Sequence, residues 1–402
     1  MYPCPRPLLT ALLATLAVPA AALAGDRLPP PTLAGGGGLD ARSLPHDEMS
    51  PFERANIERE LAQSQALLRA LGRLPAPSST SALDALVWPL RARPGHRDPD
   101  YHGISNYVDL NPAFPDQLLD WNCGTRTYDL ANGYNHAGVD YFLWPFPWRM
   151  MDAALIEIVA VAPGVILHKQ DGHPDRSCDA GTATPWNAVY VQHADGTVAW
   201  YGHMKNGSTT TKAVGQPVVA GEYLGLVGSS GRSSGPHLHL ELRSDAGAGA
   251  GIIEPHAGAC RTGPTLWAAQ RPYRDSGINK LATHSAVPNH NAGCPNPGQE
   301  TTNFRDHFRP GIDNLFVVPY YRDQVQGVAA TYRLRRRGNV ASQWQHASPQ
   351  TWNASWWSWS WQPLPAATAH GAWVFEAQYG DQVARHEFTV GTDILLATTF
   401  GG

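Results

Sequence analysis

Three short segments of the sequence carry histidine and aspartate residues at a spacing that suits a metal site. In YNHAGVDYF, His136 and Asp140 are four residues apart and share one face of a strand or helical turn. In AWYGHMK, His203 follows an alternating strand, and in GPHLHLEL the strand period of two turns His237 and His239 to the same side. Imidazole and carboxylate groups bind zinc, and a further histidine beside them could transfer protons. The residues therefore predict a zinc centre with hydrolytic chemistry.

The residue types alone leave the ligand set open, because any three of the four histidines could bind the metal together with Asp140. A lone histidine such as His168, His193 or His256 is more often a hydrogen-bonded core or surface residue than a ligand, so only the combination indicates a site. No H-E-x-x-H motif occurs, which excludes a helical zinc peptidase with a glutamate base.

The elements that must position these side chains are short strands. Between residues 86 and 254, runs such as LIEIVAVAPGVILHK, AVYVQH and TVAWYGHM are separated by Gly, Asp-Gly and Pro turns. The connections are too short for crossover helices. This pattern predicts a compact antiparallel sheet domain in a chain that is mainly β.

The order of the motifs resembles one peptidase family. HAGVD, then YGH, then GRSSGPHLHLE is similar to the lysostaphin-type, or LytM-type, zinc metallopeptidases of the M23 family. The resemblance covers residues 135–254, and LVWPL, which begins at residue 86, is similar to the usual entry strand. It implies an antiparallel β-sheet catalytic domain of the LytM type over residues 86–258.

The same resemblance assigns roles to the individual side chains. It implies one Zn²⁺ per chain bound by His136, Asp140 and His239, with His203 and His237 as catalytic residues and His237 in the position of the base. The chemistry is compatible, because zinc lowers the pKa of a bound water to about 7 and a neutral imidazole can accept its proton. No substrate-binding residue is predicted.

The resemblance also implies a substrate class. Relatives cleave peptides or cross-bridges of bacterial peptidoglycan, often at Gly-Gly or D-alanyl bonds, and some act on Gly-rich proteins such as elastin. Peptidoglycan is therefore the first expectation and a Gly-rich protein the alternative. A non-catalytic cell-wall binding protein is a third possibility, and it is disfavoured because all five implied site residues are present.

The first 24 residues are typical of a secretory signal peptide. An apolar run over residues 8–22 ends in Ala22-Leu23-Ala24, an A-x-A cleavage site. A transmembrane anchor is the alternative, but the run is short and Pro19 interrupts it. No later stretch is apolar enough to span a bilayer, so a secreted or periplasmic protein is expected.

The cysteines of the processed chain predict two disulfides. Removal of the signal takes Cys4 and leaves Cys123, Cys178, Cys260 and Cys294, an even number in an oxidising compartment. Proximity along the sequence favours Cys123 with Cys178 and Cys260 with Cys294. A cysteine-ligated zinc site is the rival, but no two of these cysteines have C-x-x-C spacing.

Residues 25–85 are predicted to be a linker followed by a helix. A Pro/Gly-rich stretch with little to bury precedes Ser50-Pro51-Phe52-Glu53, a capping box with proline at the first helical position. Ile57, Leu61, Leu68 and Leu71 then recur on one face as far as Gly72. The helix could be a pro-segment over the active site or a brace, and the brace is favoured because no processing signal is legible.

The C-terminal part of the chain is predicted to form a connector and an accessory domain. Residues 259–302 are polar and rich in Pro, Asn and Gly, as expected of a disulfide-stapled connector. Residues 303–394 contain regularly spaced strands, which predicts an Ig-like β-sandwich. Trp357, Trp359 and Trp361 share one strand face there and could form a glycan platform, although core packing is favoured.

Composition limits the partners. The 402 residues are 43% hydrophobic, which suits two or three packed domains. A formal net charge of −4 at pH 7 shows no basic excess, so nucleic acids and anionic membranes are not expected partners.

One departure from the family pattern is the aromatic insert over residues 141–154, which could wall the substrate groove or cover the sheet.

Overall fold

The computed structural model describes residues 26–392, except for residues 45, 75, 78–82, 182–183 and 291–299. The described residues form two helices, α1 at Pro51–Ala70 and α2 at Pro147–Asp152, and a 3-10 turn at Ala41–Ser43. The strands are β1 Thr32–Leu39, β2 Leu90–Ala92, β3 His102–Asn106, β4 Val139–Leu143, β5 Ile156–Val159, β6 Gly164–Gln170, β7 Ala188–Gln192, β8 Val198–Gly202, β9 Pro217–Val218, β10 Tyr223–Leu226, β11 His237–Arg243, β12 Gly277–His284, β13 His307–Phe308, β14 Leu315–Gln324, β15 Ala329–Arg336, β16 Asn339–Ala347, β17 Trp352–Trp361, β18 Gly371–Tyr379 and β19 Gln382–Val390. The predicted mainly β, largely antiparallel fold is confirmed.

A seven-stranded antiparallel sheet in the order β3-β4-β11-β8-β7-β6-β9 forms the frame of the region that carries the predicted site residues. A three-stranded sheet, β10-β5-β2, completes it. Along β11, Leu238, Leu240 and Leu242 enter the main core, whereas His237 and His239 point to the opposite face because side chains alternate along a strand.

Helix α1 packs against the sheet face that carries the histidines. Its capping box forms as predicted, with Ser50 Oγ accepting from the Glu53 amide and the Glu53 carboxylate accepting from the Ser50 amide. Ile57, Leu61 and Leu68 are buried in one cluster with β6–β8 side chains, as the periodicity predicts. Leu71 differs, since it follows the last helical residue and is 58% exposed.

The C-terminal sandwich consists of a sheet in the order β1-β17-β14-β12 and a sheet in the order β13-β19-β18-β15-β16. Its core contains Trp357, Trp359 and Trp361, each 4–6% exposed. Tyr332 from the facing sheet lies with its ring centroid 4.5 Å from that of Trp359. The three tryptophans therefore pack the core, and the alternative of an exposed glycan platform on these residues is wrong.

Two segments expected to lie outside the sandwich contribute strands to it. Residues 32–39, expected as linker with little to bury, form β1 and pair antiparallel with β17. Residues 277–284, expected within the connector, form β12 and pair with β14. Strand pairing needs only main-chain groups and a partner edge, so a glycine-rich stretch with no strand signal of its own can still complete a sheet.

The cysteine pairing differs from the expectation. Cys123 is bonded to Cys260, across 137 residues, so neither predicted pair forms. The amides of Cys260 and Arg261 both donate to the Trp121 carbonyl, which brings the two loops together. Cys178 is disulfide-bonded as well. Cys294 and the predicted signal over residues 1–24 lie outside the described residues.

The aromatic insert after Asp140 lies between the two domains. Trp144 and Phe146 are buried in a cluster with Val318 and Tyr320 of β14. The insert therefore joins the seven-stranded sheet to the sandwich, an arrangement that neither expectation for it included. No described helix has the length and apolarity needed to cross a membrane.

Candidate metal centre and catalytic site

Strands β4 and β11 bring His136, Asp140 and His239 together. Asp140 is the direct cross-strand partner of His239, and an Asp140 carboxylate oxygen lies 3.0 Å from His239 Nδ1. His136, four residues before Asp140, places its Nε2 3.1 Å from the other carboxylate oxygen of Asp140. His136 Nε2 and His239 Nδ1 are 3.3 Å apart. The three side chains converge on one point, as the motifs indicate.

A fourth donor comes from the N-terminal region. Asp47 Oδ1 lies 3.6 Å from His239 Nδ1 and 3.8 Å from His136 Nε2. The candidate ligand atoms of Asp47, His136, Asp140 and His239 all lie within 4.8 Å of one another. Sequence reasoning missed Asp47, because it stands in a segment expected to be linker and no local pattern marks it.

Two tyrosines hold the Asp47 side chain in place. Tyr128 and Tyr134 both donate to Asp47 Oδ1, the latter over 3.1 Å. Burial raises the pKa of both hydroxyls well above the ordinary tyrosine value, so they stay protonated donors. Two hydrogen bonds therefore fix the Asp47 carboxylate at the site.

Hydrogen bonds to neighbouring groups decide which ring nitrogen His136 and His239 turn toward the other donors. His136 Nδ1 lies 2.7 Å from the Tyr107 carbonyl, which leaves Nε2 facing the other donors. His239 Nε2 lies 3.5 Å from Glu241, which leaves Nδ1 facing them. Glu241 is held in turn by Arg54, at 2.7 Å. A Cβ at Gly138 would lie 2.6 Å from His239 Nε2, so this position needs glycine.

His203 and His237 lie beside this group, and each has one ring nitrogen that makes no hydrogen bond to a described residue. The Nδ1 of His203 lies 2.7 Å from the Ser230 carbonyl, and that of His237 lies 2.8 Å from the Gly235 carbonyl. Neither Nε2 has a hydrogen-bond partner in the described part of the chain, although both are buried. The ring centroids are 4.4 Å apart. Both Nε2 atoms thus face the donor cluster without a hydrogen bond to it, that of His203 at 3.8 Å from Asp47 and that of His237 at 3.7 Å from Asp140.

The buried charges in the cluster shift one another's pKa values. Burial by itself would raise the pKa of Asp140, yet attraction to His136 holds that pKa well below the usual range. Burial would likewise lower the pKa of His239, but Asp47 and then Asp140 raise it. Burial, reinforced by His203, lowers the pKa of His237 to about 3. His237 is therefore neutral at pH 7.

This donor set fits a zinc ion. Two imidazole nitrogens and two carboxylate oxygens, all preoriented by buried partners, are the ligand types that zinc prefers in four-coordinate sites. A catalytic zinc has three protein ligands and keeps one position for water or substrate. With His136, Asp140 and His239 as those three, Asp47 stands in the fourth position.

The segment that carries Asp47 also covers the site. Its neighbour His46 forms reciprocal bonds with Ser234, whose amide donates to the His46 carbonyl and whose hydroxyl accepts from the His46 amide, each over 3.0 Å. Asp47 and the four histidines at the site are each at most 1% exposed. A cavity of about 380 Å³ adjoins them, lined by residues of α1 and by Trp186, His203 and Arg232.

Comparison with known proteins places this region in a family. The profile of peptidase family M23 matches residues 149–250. The chain contains an M23 peptidase domain. The matched range includes His203, His237 and His239, whereas His136 and Asp140 precede it.

Relatives of the M23 domain include a protein named as a peptidase and one named as a cell division protein. The DD-carboxypeptidase/endopeptidase Mpg of Neisseria meningitidis serogroup B is 36% identical over 106 residues, which are 25% of this chain and 23% of that protein. The cell division protein DipM of Caulobacter vibrioides is 44% identical over 66 residues, 16% of this chain and 10% of that protein. The matches thus span less than a quarter of the length of either relative.

A solved structure of a Pseudomonas aeruginosa protein named as a peptidase M23 is 21% identical to this chain. It covers 52% of this chain and 62% of its own, with a TM-score of 0.26. That score is too low for a comparison of folds.

Proposed function

We propose that the protein is a zinc metalloendopeptidase that hydrolyses amide bonds in peptides or cross-bridges of bacterial peptidoglycan. The observation that carries the proposal is the convergence of His136, Asp140 and His239. Beside them lie two imidazole nitrogens that make no hydrogen bond to any described residue, those of His203 and His237. The M23 domain and the name of its Mpg relative, a DD-carboxypeptidase/endopeptidase, support this substrate class.

In this proposal His136, Asp140 and His239 hold the zinc. When bound, zinc supplies a Lewis acid that activates water at neutral pH and polarises the amide carbonyl. The chain's own contribution is to exclude bulk water, since the ligands are buried, and to orient the two histidine ligands through Tyr107 and Glu241. The carboxylate of Asp140 lies next to His136 and stays ionised.

His237 acts as the proton acceptor. Its Nδ1 is engaged by the Gly235 carbonyl and therefore carries the proton, so the lone pair lies on Nε2, which faces the site. His203 has the same arrangement through the Ser230 carbonyl. Once protonated, an imidazole in this position stabilises the oxyanion or donates a proton to the leaving amine.

The arrangement described is the covered form of the enzyme. Asp47 occupies the fourth donor position and the segment around it excludes a substrate peptide. Catalysis therefore requires this segment to move away or to be cut. The Cys123–Cys260 disulfide supports a secreted or periplasmic location, because disulfides persist in oxidising compartments.

Metal content tests the division between ligands and catalytic residues. Asp140→Ala and His239→Ala should lose zinc and activity together. His203→Ala and His237→Ala should keep zinc, measured by elemental mass spectrometry, and lose most turnover, since general acid–base catalysis contributes about 100-fold or more. If His237→Ala emptied the site and His239→Ala did not, the assignment would be inverted.

Mass spectrometry of fragments released from purified peptidoglycan sacculi tests the substrate. The chain would be assayed as it is and as Asp47→Ala, with Asp140→Ala as the inactive control. New amino and carboxyl ends within the stem or cross-bridge peptides would establish the endopeptidase and identify the bond. If the zinc-loaded Asp47→Ala chain left sacculi intact but cleaved elastin, the substrate would be a Gly-rich protein instead of peptidoglycan.

A further inference from the structure

The segment that covers the site is bound at residues 46 and 47 through its main chain. At His46 the amide donates to the Ser234 hydroxyl and the carbonyl accepts from the Ser234 amide, each over 3.0 Å. At Asp47 the amide donates to the Tyr128 hydroxyl over 3.1 Å, and the same hydroxyl lies 2.7 Å from the carbonyl oxygen. All four main-chain polar groups of two consecutive residues are therefore held, as in the main-chain recognition of an extended peptide.

The loop that precedes β11 sets the direction of this segment. Asp47 and Ser233 form an antiparallel bridge, so the segment runs opposite to the loop that carries Ser233 and Ser234. The same loop touches the proton acceptor of the proposed mechanism, because Ser233 Oγ lies 3.4 Å from His237 Nδ1. A peptide held by Ser234 is thus led directly to the donor cluster, where the Asp47 carboxylate lies in this structure.

The side chains of the two residues contribute in different ways. The Asp47 carboxylate is one of the four clustered donors and blocks the site. The His46 ring is not among those donors, and its Nδ1 lies 3.3 Å from the Leu44 carbonyl and 3.2 Å from Ser234 Oγ. A peptide that made the same main-chain contacts without a carboxylate would leave the fourth donor position to water. Main-chain binding and the block are therefore separate properties of this segment.

Ser234 supplies both the donor and the acceptor that one peptide residue needs. Its amide and its hydroxyl match the carbonyl and the amide of a single residue in an extended chain. The residue is half-buried beneath the covering segment, so both groups face the opened site once that segment moves. Loss of the His46 bonds without a replacement would be unfavourable at such a position, which favours a ligand that restores them.

We propose that Ser234 is a substrate-binding residue, which holds one residue of the scissile peptide by its main-chain amide and carbonyl in the place that His46 takes in the covered form. The substrate chain then runs in the direction from His46 to Asp47, and the residue that follows the one bound to Ser234 lies at the donor cluster. The substrate class is an extended peptide with an unsubstituted amide at the bound residue. This inference rests on the proposed peptidase function.

Steady-state kinetics of fragment release from sacculi test the assignment, with elastin in their place if sacculi stay intact. The uncovered chain carries Asp47→Ala to remove the block and His46→Pro to remove the amide that binds Ser234. In this zinc-loaded chain Ser234→Ala should lower kcat/KM about 3- to 10-fold, because the substrate loses one neutral hydrogen bond.

The same substitution in the otherwise unmodified chain should have little effect. There the covering segment and the substrate lose the same hydrogen bond, so the gain in uncovered molecules offsets the weaker binding of substrate. We expect kcat/KM of this chain to stay within about twofold, with equal zinc contents in both pairs of chains.

Two further substitutions serve as controls. Ser234→Thr keeps the hydroxyl and should keep kcat/KM of the uncovered chain within about twofold. Ser244→Ala removes an exposed hydroxyl that accepts from the Gly251 amide beyond the other end of β11, and it should change the kinetics of neither chain.

The outcomes separate this inference from the proposed function. An equal loss of kcat/KM in both chains would show that Ser234 acts only on the structure, and an unchanged value in the uncovered chain would show that it binds only the covering segment. Either result overturns the assignment while the peptidase activity stands. If the uncovered chain cleaved neither sacculi nor elastin, the proposed function would fail and this inference with it.

Discussion

Removal of the Asp47 carboxylate is the perturbation that most directly separates the covered form of the site from an active one. In Asp47→Ala the fourth donor is lost, and the buried Tyr134 hydroxyl loses its acceptor, whereas the Tyr128 hydroxyl can still donate to the main-chain carbonyl of residue 47, 2.7 Å away. A hydrogen bond to a charged acceptor contributes about 1.5–3 kcal/mol, so the loss of one destabilises the covered form by about that amount. That changes the ratio of covered to uncovered molecules about 10- to 100-fold.

The assay is the rate of fragment release from sacculi by the zinc-loaded chain. Because the described form is covered, the rate of Asp47→Ala should rise, by up to about 100-fold, until the uncovered form predominates. Asp47→Asn is the matched control: it keeps an oxygen for the tyrosine hydroxyls but removes the charge, so its rate should rise less. An unchanged or lower rate in an Asp47→Ala chain that retains zinc and is folded by circular dichroism would refute the view that Asp47 blocks the site.

Three further predictions concern stability, each measured by urea unfolding. Gly38→Ala should lower the free energy of unfolding by about 1–3 kcal/mol because of its contact with Trp352, whereas Gly35→Ala should change it by less than about 1 kcal/mol; equal effects would contradict the ring contacts. Joint replacement of Cys123 and Cys260 by alanine should cost about 2–5 kcal/mol, and no loss would show that the bond is dispensable. Burial raises the pKa of Glu300 from 4.5 to about 7, so the unfolded chain loses this proton at a lower pH than the folded chain does. The free energy of unfolding should therefore fall as pH rises from 4.5 to 7. If a Glu300→Gln chain showed the same dependence of stability on pH, Glu300 would not be its cause.

Part of the candidate site can be predicted from local sequence patterns. Strand alternation places His237 and His239 on one face of β11, and the structure has both there. The spacing of His136 and Asp140 predicts that they share a side, and their side chains lie 3.1 Å apart. These features depend on residues within a few positions of one another, so the sequence carries them directly.

Cysteine pairing shows where proximity along the chain is misleading. Cys123 joins Cys260 because the loop around Trp121 accepts hydrogen bonds from the second cysteine's own backbone. Loop closure over a longer stretch costs little extra entropy, so the nearer cysteine has only a small advantage. The contacts of the folded loops decide the pairing.

Local sequence patterns predict the alternating β elements, the capped helix from Pro51 and the residue types of the M23 site, because periodicity, capping and motif order depend on neighbouring residues. Two features become visible only in the folded chain: the glycine-rich stretch pairs with β17, and Asp47 lies against His239. Both arise from contacts between segments far apart in the chain. Such contacts depend on the shape and the unpaired polar groups of a partner surface, and neither leaves a pattern in the segment that binds to it.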